Sequence, residues 1–146
     1  MNLTENFTLE ELIFSQTATR KGINNEPSNK IKENLKTLAI NLEKVRAILL
    51  SPIHISSGYR CSDLNVAIGG SKTSAHMDGF AADFTSPKFG SPETIVRTLK
   101  RHGLKCDQCI MEGTWVHISF APAMRNQFLT ATFKNGVASY SQYKES

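Results

Sequence analysis

Ile31, Leu35, Leu38, Leu42, Val45 and Leu49 recur at alternating steps of four and three, between Pro27-Ser28 on one side and Pro52 on the other. Because an α-helix turns once every 3.6 residues, those steps put all six side chains on one stripe. Such a stripe must be buried against a second layer. The charges beside it are unpatterned, which argues against a coiled-coil partner and leaves a sheet as the expected cover. The later sequence supplies that sheet. Ile53-His54-Ile55-Ser56-Ser57 alternates like a half-buried strand, and Phe80 to Thr85 reads as another. Residues 107–120 hold two apolar runs broken at Gly113-Thr114, as in a hairpin, and Lys134-Asn135-Gly136-Val137 is a two-residue hairpin turn. Helices come early and strands late, so the expected class is α+β, with N-terminal helices packed on a mainly antiparallel sheet. At 146 residues and 40% hydrophobic content the chain suffices for one domain with a real core, taken as 1–146.

Shorter signals fill in the remainder. Thr8-Leu9-Glu10-Glu11 is a capping box that opens a short helix, expected to end between Thr17 and Gly22. Residues 62–68 read as a short helix closed by Gly69-Gly70, and Ser71 to Asp78, which lack any period, as a loop. Ser91-Pro92-Glu93 starts a helix that His102-Gly103 stops.

Composition narrows the function classes. The net charge of +4 is mild and spread along the chain, which favours anionic partners, including the polymers of a bacterial wall, without naming one. A nucleic-acid binder would cluster Arg and Lys with exposed aromatics, and no such cluster is evident. Met1 to Phe7 carry neither a basic n-region nor an apolar h-region, so cytoplasmic synthesis without a signal peptide is expected. No apolar run approaches the length needed to cross a bilayer. Cys106-Asp107-Gln108-Cys109 has the spacing of redox and zinc motifs, but it follows a helix end and leads into a strand, and a closed thiolate site has only Cys61 to draw on. These cysteines read as core residues.

Chemistry concentrates in two places. Ser74-Ala75-His76-Met77-Asp78-Gly79-Phe80-Ala81-Ala82-Asp83 and Trp115-Val116-His117 together offer two imidazoles and a carboxylate. Zinc in hydrolytic sites takes three nitrogen or oxygen ligands and leaves its fourth position to water, whereas structural zinc is closed by four, usually with cysteine among them. Alternation along residues 115–120 places Trp115, His117 and Ser119 on one face and Val116, Ile118 and Phe120 on the other, so His117 faces away from the core. Gly79 supplies the backbone freedom for a bend that brings His76 back toward Asp83.

This combination resembles the zinc D-alanyl-D-alanine peptidase family, which includes bacterial D,D-carboxypeptidases and phage endolysins and shares its fold with the hedgehog signalling domain. The family pattern Ser-x-His-x-x-Gly-x-Ala-x-Asp is met by Ser74, His76, Gly79, Ala81 and Asp83. Trp-x-His is met by Trp115 and His117, and an upstream Ser-Gly-Tyr-Arg by Ser57 to Arg60. The resemblance implies His76, Asp83 and His117 as ligands of Zn2+, and Arg60 as a group by the metal that anchors substrate or stabilises the oxyanion. It further implies a metallopeptidase that cuts a peptide bond in the stem or cross-link of bacterial peptidoglycan, of lysin type and monomeric. Ser74 and Trp115 are candidates for the substrate side, Ser74 also for fixing its loop. Many relatives place the catalytic acid three residues before the last histidine. Here Thr114 stands there, so Glu112, across the Gly113 bend, is the expected general base, ahead of Asp107 and Asp78. The alternative is a non-catalytic, zinc-containing peptidoglycan binder of the same fold. His54 and His102 are expected to be incidental.

Overall fold

The computed structural model describes residues 1–145. Its first elements are α1 (Leu9–Ile13), α2 (Gln16–Lys21) and α3 (Asn29–Leu49). The Thr8 capping box is present in both directions, with Thr8 Oγ1 accepting from Glu11 N–H at 3.1 Å and Glu11 Oε1 accepting from Thr8 N–H at 2.9 Å. The single short helix expected from it is in fact two. Phe14 turns extended, and Ser15 starts afresh by accepting from Ala18 N–H at 3.1 Å, a second N-cap hidden inside the run. Ser28 caps α3, and Leu35, Leu38, Leu42, Val45 and Leu49 are buried along its inner side, with Ile31 packed at the margin. The helix ends at Leu50, which takes a left-handed φ of 51°, two residues before Pro52.

The sheet follows with β1 (His54–Ser57), β2 (Ala81–Thr85), β3 (Gln108–Met111), β4 (Val116–Ser119), β5 (Gln127–Lys134) and β6 (Val137–Gln142), in spatial order β1-β2-β4-β3-β5-β6. Two further helices, α4 (Ser62–Ala67) and α5 (Pro92–Arg101), lie in the β1–β2 and β2–β3 connections. Every pairing is antiparallel except β3 with β5. That exception has a simple cause: β2 already holds the far edge of β4, so the chain leaving β4 must pass over to the free edge of β3. Asn135 and Gly136, with φ of 53° and 78°, form the expected two-residue turn between β5 and β6. Helices α1, α3 and α5 and the inward face of the sheet, including Ala82, Phe84, Val116 and Ile118, share one core. Among the described residues no helix is long and apolar enough to cross a membrane.

Cys106 and Cys109 are free and fully buried in this core, and burial pushes the Cys106 thiol up to about 12. Both are packing residues. The crossover to β5 is pinned where they sit. Asp107 accepts a two-pronged contact from Arg125, at 2.9 Å from Nε and 2.8 Å from Nη2, and also the Arg125 backbone N–H at 3.0 Å. Asp107 is therefore committed to structure and unavailable as a base. These hydrogen bonds from Arg125 hold its carboxyl below the ordinary value, so the stabilisation is complete at neutral pH and fades as acid protonates the carboxylate. With Arg125 half exposed, Asp107→Asn is expected to destabilise by about 1–2 kcal/mol. Denaturant melts of both proteins should converge as the pH falls below about 4.

Candidate metal centre

The register of the sheet brings the first two site residues together. Asp83 on β2 lies directly opposite His117 on β4. Their sequence neighbours Ala82, Phe84, Val116 and Ile118 are fully buried beneath the helices, so strand alternation turns Asp83 and His117 to the other face. Val116, Ile118 and Phe120 lie in the core, as the alternation predicts, and His117 between them turns the other way.

His76 arrives from above. Residues 71–78, read as an irregular loop, contain a 3-10 turn over Ala75–Asp78, with Ser74 Oγ accepting from His76 N–H at 3.2 Å. Gly79 ends that turn at φ 75°, and a Cβ there would lie 3.2–3.3 Å from Ile31 and Leu35 of α3. Glycine therefore serves both the bend and the close pass over the helix. The imidazole itself is oriented by Gly58, whose carbonyl is 2.7 Å from His76 Nδ1. A carbonyl only accepts, so Nδ1 carries the proton and Nε2 is left with its lone pair. Gly58 has no room to spare: a Cβ would sit 2.2 Å from the Leu12 carbonyl oxygen. Gly58→Ala is accordingly expected to destabilise by roughly 2–3 kcal/mol, read as a lower melting temperature, and to weaken metal binding by displacing the carbonyl that aims His76.

The three inward atoms meet at one point. His76 Nε2 lies 3.2 Å and His117 Nδ1 3.0 Å from Asp83 Oδ1, and the donor atoms of all three residues fall within 4.8 Å of one another. Tetrahedral ligation with bonds of roughly 2 Å separates ligand atoms by about 3.3 Å. His76 and Asp83 are buried and His117 nearly so. Burial drives the His76 imidazole toward its neutral form, against the pull of Asp83. Burial also opposes ionisation of Asp83, yet the hydrogen bond from His117 holds its carboxyl far below the usual range. A neutral His76 that spends its proton on Gly58 turns a lone pair toward a carboxylate. Two acceptors face each other across 3.2 Å, and a cation between them satisfies both. The donor set fits a divalent metal with three protein ligands.

Asp83 Oδ2 is engaged separately, by Arg60 Nη2 at 3.4 Å, which leaves Oδ1 as the inward atom. Arg60 is itself fixed by Ser57 Oγ, 3.1 Å from Nε, and by Asn65 Oδ1, 3.2 Å from Nη1. Asn65 on α4 is buried and also donates to the Ser71 carbonyl at 2.8 Å. Gly70 makes this possible, since a Cβ there would fall 2.1 Å from Asn65 Oδ1. Sequence reasoning missed Asn65. Its signal was an asparagine on the apolar side of a short helix, next to Leu64, where an amide needs partners. Asn25 was missed too: it donates to the carbonyls of Ile13 and Tyr59 and accepts from Cys61 N–H, clamping the segment that carries Arg60.

Glu112 stands one residue past β3 and donates its backbone N–H to the Trp115 carbonyl at 2.9 Å. Since Ile110 pairs with His117, Glu112 shares the metal-side face two residues farther along. Its carboxyl is raised, chiefly by burial and also by Asp83, against the pull of His117 and Arg60. The Gly113 bend, at φ 83°, thus keeps this acid beside the centre. Trp115 is half-buried on the same face. Asp78 is exposed, His54 lies on the solvent side of β1, and His102 caps α5 with Nδ1 3.0 Å from the Thr98 carbonyl.

A family profile described as Peptidase M15 matches residues 5–119, which include all three converging side chains. The chain belongs to the peptidase M15 family. Comparison with curated proteins gave no match. M15 peptidases are typically zinc-dependent, and the His-Asp-His group provides the ligand types such an ion takes.

Proposed function

We propose that this M15 peptidase is a zinc metallopeptidase of lysin type that hydrolyses a peptide bond in the stems or cross-links of bacterial peptidoglycan, with His76, Asp83 and His117 as the zinc ligands. The observation that carries the reading is the convergence of His76 Nε2 and His117 Nδ1 on one oxygen of Asp83, at 3.2 and 3.0 Å. Zinc bound there would supply a Lewis acid and a water that ionises near neutral pH.

The chain's own residues account for the rest. Glu112 takes the proton of the attacking water and passes it to the leaving amine, and its raised carboxyl makes it a stronger base than an ordinary glutamate. Arg60 uses three of its five N–H donors on Ser57, Asn65 and Asp83 and keeps the others for the oxygen that gains charge. Trp115 offers a ring beside that point. Ser74 acts through the turn that it caps, by fixing His76. The mild positive charge of the chain favours encounter with anionic wall polymers.

The test is turnover of purified wall, with release of new amino groups as the readout. Activity is expected to vanish on chelation and to return with zinc. Full activity in the chelated protein would reject the proposal.

A further inference from the structure

The family match ends at Ser119, before the β5–β6 hairpin begins. Strand registers nevertheless carry the metal-side face straight into that hairpin. Asp83, His117, Ile110, Leu129 and Gln142 lie abreast across five strands. The next row holds Trp115, Glu112, Ala131 and Tyr140, and the row after it Phe133 and Ala138. Glu112 and Tyr140 are two strands apart, about 10 Å across the sheet, with only the Ala131 methyl between them. Ala131 is 8% exposed whereas Tyr140 is 54% exposed, so the larger side chains around the alanine cover it and the ring is left to face outward. Burial and the charges of Glu112 and Asp83 raise the Tyr140 phenol, which agrees with a short distance to the centre.

The order of groups gives the cleft a direction. Arg60 lies beside the outer oxygen of Asp83, on the β1 side, and Glu112 lies on the β3 side. A scissile amide held between them turns its carbonyl oxygen to Arg60 and its nitrogen to Glu112. Whatever follows that nitrogen runs over Ala131 toward Tyr140 and Phe133. Among the described residues, the strand positions that share this face beyond Glu112 include no Lys or Arg, since Lys134 pairs with Val137 on the opposite face. The terminal carboxylate of a single leaving residue finds no cation there, while a continuing chain gains the cover of two aromatic rings.

We propose that the β5–β6 hairpin is the leaving-group wall of the cleft, and that Tyr140 selects substrates whose leaving amine belongs to an extended peptide over those that release one amino acid. The proposal rests on the peptidase reading and is tested apart from it. In zinc-loaded Glu112→Gln protein, calorimetry compares a synthetic cross-linked stem-peptide dimer with a free stem pentapeptide ending in D-Ala-D-Ala. The dimer is expected to bind about tenfold more tightly, Tyr140→Ala to remove that advantage, and Tyr140→Phe to restore it, the order of effect seen when an aromatic contact is truncated. Pentapeptide binding should stay the same in all three proteins. Equal weakening of both ligands by Tyr140→Ala, or no weakening, would overturn the proposal, as would absence of binding. Turnover of the dimer by the unsubstituted protein is the separate arm. Tyr140-dependent binding without turnover supports the wall and sinks the peptidase reading, and turnover with binding indifferent to Tyr140 does the reverse.

Discussion

Glu112→Gln is expected to lower turnover of purified wall by about 10²- to 10⁴-fold, the usual contribution of a positioned general base, while zinc content stays at the unsubstituted level. The amide matches the carboxylate in shape but cannot accept a proton at neutral pH, so the substitution isolates proton transfer from architecture. Glu112 touches none of the three converging residues by hydrogen bond, and its backbone contact to Trp115 survives the change. The folded state should therefore be unaffected or slightly favoured, because burial already penalises the charge. Single-turnover rates with paired metal analysis make the measurement. Unchanged turnover would move the base elsewhere, and with Asp107 locked to Arg125 and Asp78 facing solvent, no other acid proposed from the sequence is placed to replace it. No measurable turnover in the unsubstituted protein would favour the binder reading that Thr114 raises.

Asp83→Ala is expected to remove bound zinc, abolish activity and destabilise the fold by about 3–5 kcal/mol. The stability effect has its own cause. Asp83 Oδ2 receives Arg60, so the alanine leaves a nearly buried guanidinium without its counter-charge. Asp83→Asn restores the volume without the charge and should recover part of the stability and little of the zinc affinity. Thermal melts in chelator read the first effect without interference from metal. Equal stability of all three metal-free proteins would show that Arg60 draws its support from Ser57 and Asn65 alone.

How far the sequence revealed this depends on the range of each interaction. Strand alternation gave the faces of residues 115–120, because period two is local and Val116 and Ile118 left one side apolar. The α3 stripe was legible for the same reason. The Phe14-Ser15 break was not, since Ser15 looks like any helical serine until its hydroxyl caps Ala18. The parallel β3–β5 pairing was hidden as well. It follows from which sheet edge is free, a property of the assembled strands rather than of any segment. The three converging residues were visible through motif spacing. Their supports were not: Gly58 orients His76 through a carbonyl that every residue possesses, and Asn65 reaches Arg60 only because Gly70 lacks a side chain.

The most direct measurement is metal stoichiometry after exhaustive chelation, titration with zinc and gel filtration. One equivalent retained by the unsubstituted chain, and under about one tenth by His76→Ala, Asp83→Ala and His117→Ala, is the predicted result for a three-ligand site. Retention of a full equivalent by all three variants, or of none by the unsubstituted protein, would contradict it.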